Sequence, residues 1–117
     1  VATGHLVWES LLAADELEKQ GISCEIINIH TIKPLDEEII LKSVEKTGKI
    51  VTAEEHNYLG GLGESVAGML ARKRPTPQEF VAVQDTFGES GTPAELMHKY
   101  KIDSFAVIEA VKRILER

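Results

Sequence analysis

At 117 residues, with 43% hydrophobic and 27% charged residues, the chain has ordinary globular composition and enough length for one core, read as a single domain over 1–117. A formal net charge of −6, with Lys and Arg scattered rather than gathered in a stripe, argues against a nucleic-acid backbone as partner. The lone Cys24 excludes an intrachain disulfide and fits a reducing, cytoplasmic setting, and no stretch has the length of a membrane span or the layout of a secretion signal.

In chain order, Val1 to Thr3 reads as the last residues of a strand. Three residues are short for a strand, so its first part is expected in sequence upstream. After Gly4-His5 a helix is predicted from about Leu6 to Gln20, with Val7, Leu11, Ala14 and Leu17, joined by Trp8 and Leu12, as its apolar face. Gly21 ends it. Cys24 to Ile29 reads as the second strand, with Cys24 as a small core residue. The Pro34-Leu35-Asp36 corner leads into a helix expected to bury Leu35, Ile39, Ile40 and Val44, closed by Gly48. Ile50 to Ala53, apolar or small on both faces, reads as a strand of a parallel sheet covered on both sides. A helix marked by Leu62, Val66, Met69 and Leu70 ends before Pro75 and Pro77, and Phe80 to Val83 is the fourth strand. Beyond a polar loop, Thr92-Pro93-Ala94-Glu95 is a capping box with proline at the first helical position. That helix is expected to end near Tyr100, and Asp103 to cap a last one whose Val107, Ile108, Val111, Ile114 and Leu115 face inward. The alternation predicts the α/β class: a three-layer α/β/α sandwich with a mostly parallel sheet of about five strands, the first truncated at the N-terminus.

The chemistry concentrates in Thr52 to Glu64, where an apolar strand delivers Glu54, Glu55 and His56 into a glycine turn that opens a helix. Ligands of open α/β sheets gather at such strand ends. His5, His30 and His56 also follow strands, but no H-x-x-x-H or C-x-x-C spacing supports a metal, and loop or interface hydrogen bonding is the simpler reading. His98, beside Lys99 with Glu95 one turn away, belongs to a solvated face. Gly60-Gly61-Leu62-Gly63 invites a phosphate-cradle reading, since a helix N-terminus attracts anions. Both the dinucleotide fingerprint and the P-loop are missing, and Glu54, Glu55 and Glu64 would repel a diphosphate. A tight turn with close helix packing is therefore favoured. Ser65 and Ser90 lack a nucleophile elbow.

Three spaced motifs together resemble the C-terminal domain of transketolases: His30-Thr31-Ile32-Lys33-Pro34-Leu35-Asp36, then Glu54-Glu55-His56 with Gly60-Gly61-Leu62-Gly63-Glu64, then Ser90-Gly91-Thr92-Pro93-Ala94-Glu95-Leu96. The resemblance spans essentially the whole chain. It implies a thiamine-diphosphate enzyme that moves a two-carbon ketol unit between sugar phosphates, working as a dimer in the pentose phosphate pathway. In that family the cofactor and Mg²⁺ are held by domains with a G-D-G signature and an activating glutamate, and this chain contains no G-D-G. The expectation is thus a third domain that serves assembly, inactive alone, with no catalytic, cofactor or metal residues of its own. Candidate contacts to the remaining domains, or to an N-terminal subunit, are His30, Lys33, Glu55, His56, Asn57, Gly60, Gly61 and Gly63. The alternatives are the related domains of deoxyxylulose-phosphate synthases and of 2-oxoacid dehydrogenase β subunits, the latter acting as protein-docking modules.

Overall fold

Residues 1–3, 5–29, 35–54, 61–82 and 93–116 are described by a computed structural model. Their order is α1 (His5–Lys19), α2 (Glu37–Thr47), β1 (Ile50–Glu54), α3 (Leu62–Lys73), β2 (Gln78–Ala82) and α4 (Pro93–Leu115). β1 and β2 pair in parallel, Ile50 opposite Gln78 through Glu54 opposite Ala82. On the other side of β1, Ala2 makes parallel bridges to both Ala53 and Asn28. The sheet order is therefore the 22–29 stretch, the first residues, β1 and β2.

Two apolar clusters lie on the two faces of this sheet. One joins Ile27, Ile29 and Ile50 to Ile40 and Val44 of α2 and to Leu62, Val66, Met69 and Leu70 of α3. The other joins Ala2, Ala53 and Val81 to Leu6 and Ala13 of α1 and to Val107 and Ala110 of α4. Helices thus cover both sides, giving the predicted parallel α/β sandwich. The Leu62, Val66, Met69 and Leu70 face of α3 is buried as its spacing requires. α2 is bounded as its sequence dictates: Asp36 accepts a hydrogen bond from the Ile39 amide at 3.5 Å, and Gly48 takes the left-handed conformation, φ 72°, that closes the helix. Lys46 of α2 reaches Glu25 at 2.9 Å, and that bond holds the Glu25 carboxyl below its ordinary range. No helix among the described residues is long and apolar enough to cross a membrane.

Three helical expectations need correction. Residues 93–115 form one helix, α4, rather than two meeting near Tyr100 and Asp103. No glycine or proline interrupts that stretch, and an interior aspartate costs a helix only about 0.7 kcal/mol relative to alanine. In α1 the inward face is Leu6, Ser10, Ala13 and Leu17, while Trp8, Leu11 and Leu12 stand exposed. The helix carries large apolar residues around most of its circumference, so spacing alone could not choose the side. Ile39 of α2 and Leu115 of α4, both expected inside, are exposed for the same reason: each borders an apolar stripe that Ile40 and Val44, or Val107 and Ile114, already fill.

Candidate functional site

An α-helix begins with amides that have no partner within the helix, and a cap normally supplies one. Gly61, the residue before α3, has no side chain with which to do so. Glu54 supplies it instead from the last position of β1. Its Oε1 accepts from the Leu62 amide at 3.0 Å and its Oε2 from the Gly63 amide at 2.7 Å, with the side chain only 4% exposed. A carboxylate facing the positive end of a helix dipole through two amides is a strong, oriented contact.

β2 completes the arrangement from below. Gln78 Nε2 donates to Thr52 Oγ1 at 3.1 Å and to the Gly63 carbonyl at 3.0 Å. The first turn of α3 is thus gripped through its amides by one strand and through a carbonyl by its neighbour. Gly63 is required by the close fit: a Cβ there would lie 2.7 Å from Phe80 Cε2 and 3.2 Å from Glu54 Oε2. The turn serves tight helix–strand packing, the reading favoured from its composition.

This geometry bears directly on anion binding. The amides a diphosphate would need are engaged by the protein's own carboxylate, which also places negative charge where the ligand would sit. Among the described residues no three His, Cys, Asp or Glu side chains gather to hold a metal ion. Cys24 is half-buried, and burial pushes its thiol above the ordinary value, against a weaker opposing pull from the Val1 amine.

Of the candidate contact residues, Gly61 and Gly63 lie at the start of α3. His30, Lys33, Glu55, His56, Asn57 and Gly60 fall outside the described residues. From sequence Glu54 stands only among the acids that would repel a ligand, whereas in the fold it is the cap of α3. The signal was present: a helix opening on Gly-Gly-Leu-Gly has no Ser, Thr, Asp or Asn cap, so a buried acid at the preceding strand end is the available acceptor.

Residues 1–107 match the family model described as "Transketolase, C-terminal domain". The chain is 44% identical over its whole length to a 6-deoxy-6-sulfo-D-fructose transketolase subunit of Clostridium sp., of which it covers 36%. It is 41% identical to a putative transketolase C-terminal section of Methanocaldococcus jannaschii over 99% of its length and 35% of that protein. To the transketolase of Mus musculus it is 37% identical over all its residues, covering 19% of that enzyme. A solved structure described as a split-gene transketolase, an inactive beta4 tetramer, superposes with a TM-score of 0.87 at 41% identity, over 98% of this chain and 38% of the other. The chain therefore spans just over a third of the first two curated relatives and about a fifth of the mouse enzyme.

Proposed function

Because the chain belongs to the transketolase C-terminal domain family, we propose that it is the C-terminal part of an enzyme transferring a two-carbon ketol unit between sugar phosphates with thiamine diphosphate, and that this part serves assembly. The observation that carries the reading is the engagement of Glu54 with the Leu62 and Gly63 amides. Among the described residues the helix N-terminus that a diphosphate would use is filled by Glu54, and no acidic or histidine cluster gathers for Mg²⁺, which supports a reading in which the cofactor is held by other parts of the enzyme. No chemical step is assigned to this chain.

What the chain contributes on this reading is surface. Trp8, Leu11 and Leu12 stand together on the outward side of α1, with Trp8 59% exposed, and Phe105 of α4 is 60% exposed. Large aromatic and aliphatic side chains left in water favour a partner that covers them. The remaining transketolase domains, an N-terminal subunit or a second copy in a dimer are the partners this reading supplies. A cytoplasmic setting belongs to the same proposal, with the free Cys24 in its support.

The test mixes the chain with the separately produced remainder of the enzyme. Co-elution on size exclusion, ketol transfer in the mixture only, and no calorimetric heat when thiamine diphosphate and Mg²⁺ are added to the chain alone are expected. Saturable cofactor binding by the chain alone overturns the proposal.

A further inference from the structure

The outward side of α1 is a line of large apolar side chains that ends on an acid. Trp8, Leu11, Leu12 and Asp15 follow the i, i+3, i+4, i+7 spacing that gathers side chains on one side of a helix, away from the buried Leu6, Ala13 and Leu17. Trp8 is more than half exposed, Leu11 and Leu12 nearly half, and the Asp15 side chain 71%.

The charges of α1 are divided along its length. From His5 to Leu12 the sole acid is Glu9, and it is buried. From Ala13 to Lys19 the helix carries Asp15, Glu16 and Glu18, all exposed, against the single cation Lys19, which is three acids to one base and a net −2. The backbone dipole adds positive character at the start of the helix and negative character at its end. α1 is therefore positive where it begins and negative where it finishes, with the apolar line between.

That polarity makes the face complementary to itself in one orientation. In a parallel pair of α1 helices, Asp15 and Glu18 would stand against the same acids of the second copy, and like helix ends would meet. In an antiparallel pair about a two-fold axis between residues 11 and 12, Leu11 packs on Leu12 of the second copy and Trp8 meets its Asp15. The indole N–H, a donor that needs a partner once covered, then has a carboxylate to bond. The acids of each second half lie along the positive start of the other helix. Each of these contacts is made twice.

We propose that α1 pairs antiparallel with α1 of a second copy of this chain, through Trp8, Leu11, Leu12 and Asp15. The proposal rests on the assembly reading and deepens it by assigning the second copy to this face. One helix from each copy buries less than the roughly 1,000 Å² of a stable interface, so the pairing is weak, with a dissociation constant of about 0.1 mM. Two paired chains offer the remainder of the enzyme two attachments, so a weak pairing still strengthens the whole assembly.

Sedimentation equilibrium of the 117-residue chain, from about 10 µM to about 1 mM, tests the pairing. Salt at about 0.15 M screens the repulsion between copies of net charge −6 beyond about 8 Å. A monomer–dimer equilibrium is expected, and Leu11→Glu should raise its dissociation constant at least about tenfold while moving the unfolding midpoint by less than about 4 °C. Orientation is read by a spin label attached to Glu18→Cys in a Cys24→Ala chain mixed with ¹⁵N-labelled wild-type chain. The label is expected to broaden the Leu6 to Trp8 amides of the wild-type copy more than its Glu18 to Gln20 amides. The reverse order, a chain still monomeric at about 1 mM, or a Leu11→Glu chain that pairs as tightly as the wild type overturns the proposal. The chain alone suffices for these measurements, so their failure leaves docking to the remainder of the enzyme standing, and a failure to co-elute with that remainder leaves the pairing standing.

Discussion

Replacing Glu54 by alanine removes the acceptor for two buried amides, those of Leu62 and Gly63, in one step. A buried donor left unsatisfied costs about 1–3 kcal/mol, and two would give about 2–6 kcal/mol. A water admitted to the vacated space can make up part of the loss at both amides, so the lower half of that range, about 2–4 kcal/mol, is expected. The Gln78 bond to the Gly63 carbonyl remains and holds the turn from the other side. Glu54→Gln keeps one acceptor oxygen but sets an NH₂ against the second amide, and about 1–3 kcal/mol is expected, less than for alanine. A chain of this size has about 6–15 kcal/mol in total, so the alanine variant folds with a clearly lowered urea midpoint and an unchanged m-value. Urea titrations followed by circular dichroism read both variants, and amide exchange reads the first turn of α3. If Glu54→Gln and Glu54→Ala both unfold within about 0.3 kcal/mol of the wild type, the carboxylate is not holding the helix and the reasoning fails.

Gly63→Ala sets the helix-propensity gain, up to about 1 kcal/mol, against a Cβ 2.7 Å from Phe80 Cε2. A net loss of about 1–2 kcal/mol is expected, and because Phe80 is partly exposed, adding Phe80→Ala should recover most of it in a double-mutant cycle. Zero coupling between the two sites would contradict the packing account. In the chain that begins with a free Val1 amine, the unfolded state keeps its proton up to pH 8.0 and the folded state only up to about 6, so stability rises with pH across that window. The full penalty, below pH 6, is about 2–3 kcal/mol, and acetylating Val1 should flatten the dependence, Cys24 remaining a neutral thiol throughout. Identical pH profiles for free and acetylated chains would refute the buried amine. Trp8→Ser should change the chain's own stability by less than about 0.5 kcal/mol, as expected for a side chain 59% exposed, while weakening co-elution with the rest of the enzyme. Loss of folding in that variant would place Trp8 in the core.

Alternating strand and helix signals made the layered α/β fold legible, and strong punctuation fixed several bounds: Asp36 and Gly48 around α2, Pro93 at the start of α4. Legibility ended where a pattern was consistent with two outcomes. α1 carries apolar residues on most sides, so Trp8, Leu11 and Leu12 looked like core until packing chose Leu6, Ala13 and Leu17. The stretch from Tyr100 to Asp103 contains a good cap residue but no breaker, and helix continuity won. At the site, spacing marked the glycine turn and the strand end, and their charge argued against a diphosphate. The bond from Glu54 to amides eight and nine residues later is a tertiary contact that only the approach of α3 to β1 creates.

The most direct test follows the Leu62 and Gly63 amides by ¹H–¹⁵N NMR while thiamine diphosphate and Mg²⁺ are added to the intact 117-residue chain. With Glu54 holding both amides, their signals should stay in place at millimolar cofactor. A saturable shift of these two signals in the wild-type chain would show that the helix N-terminus is open to a diphosphate and that this chain binds the cofactor itself.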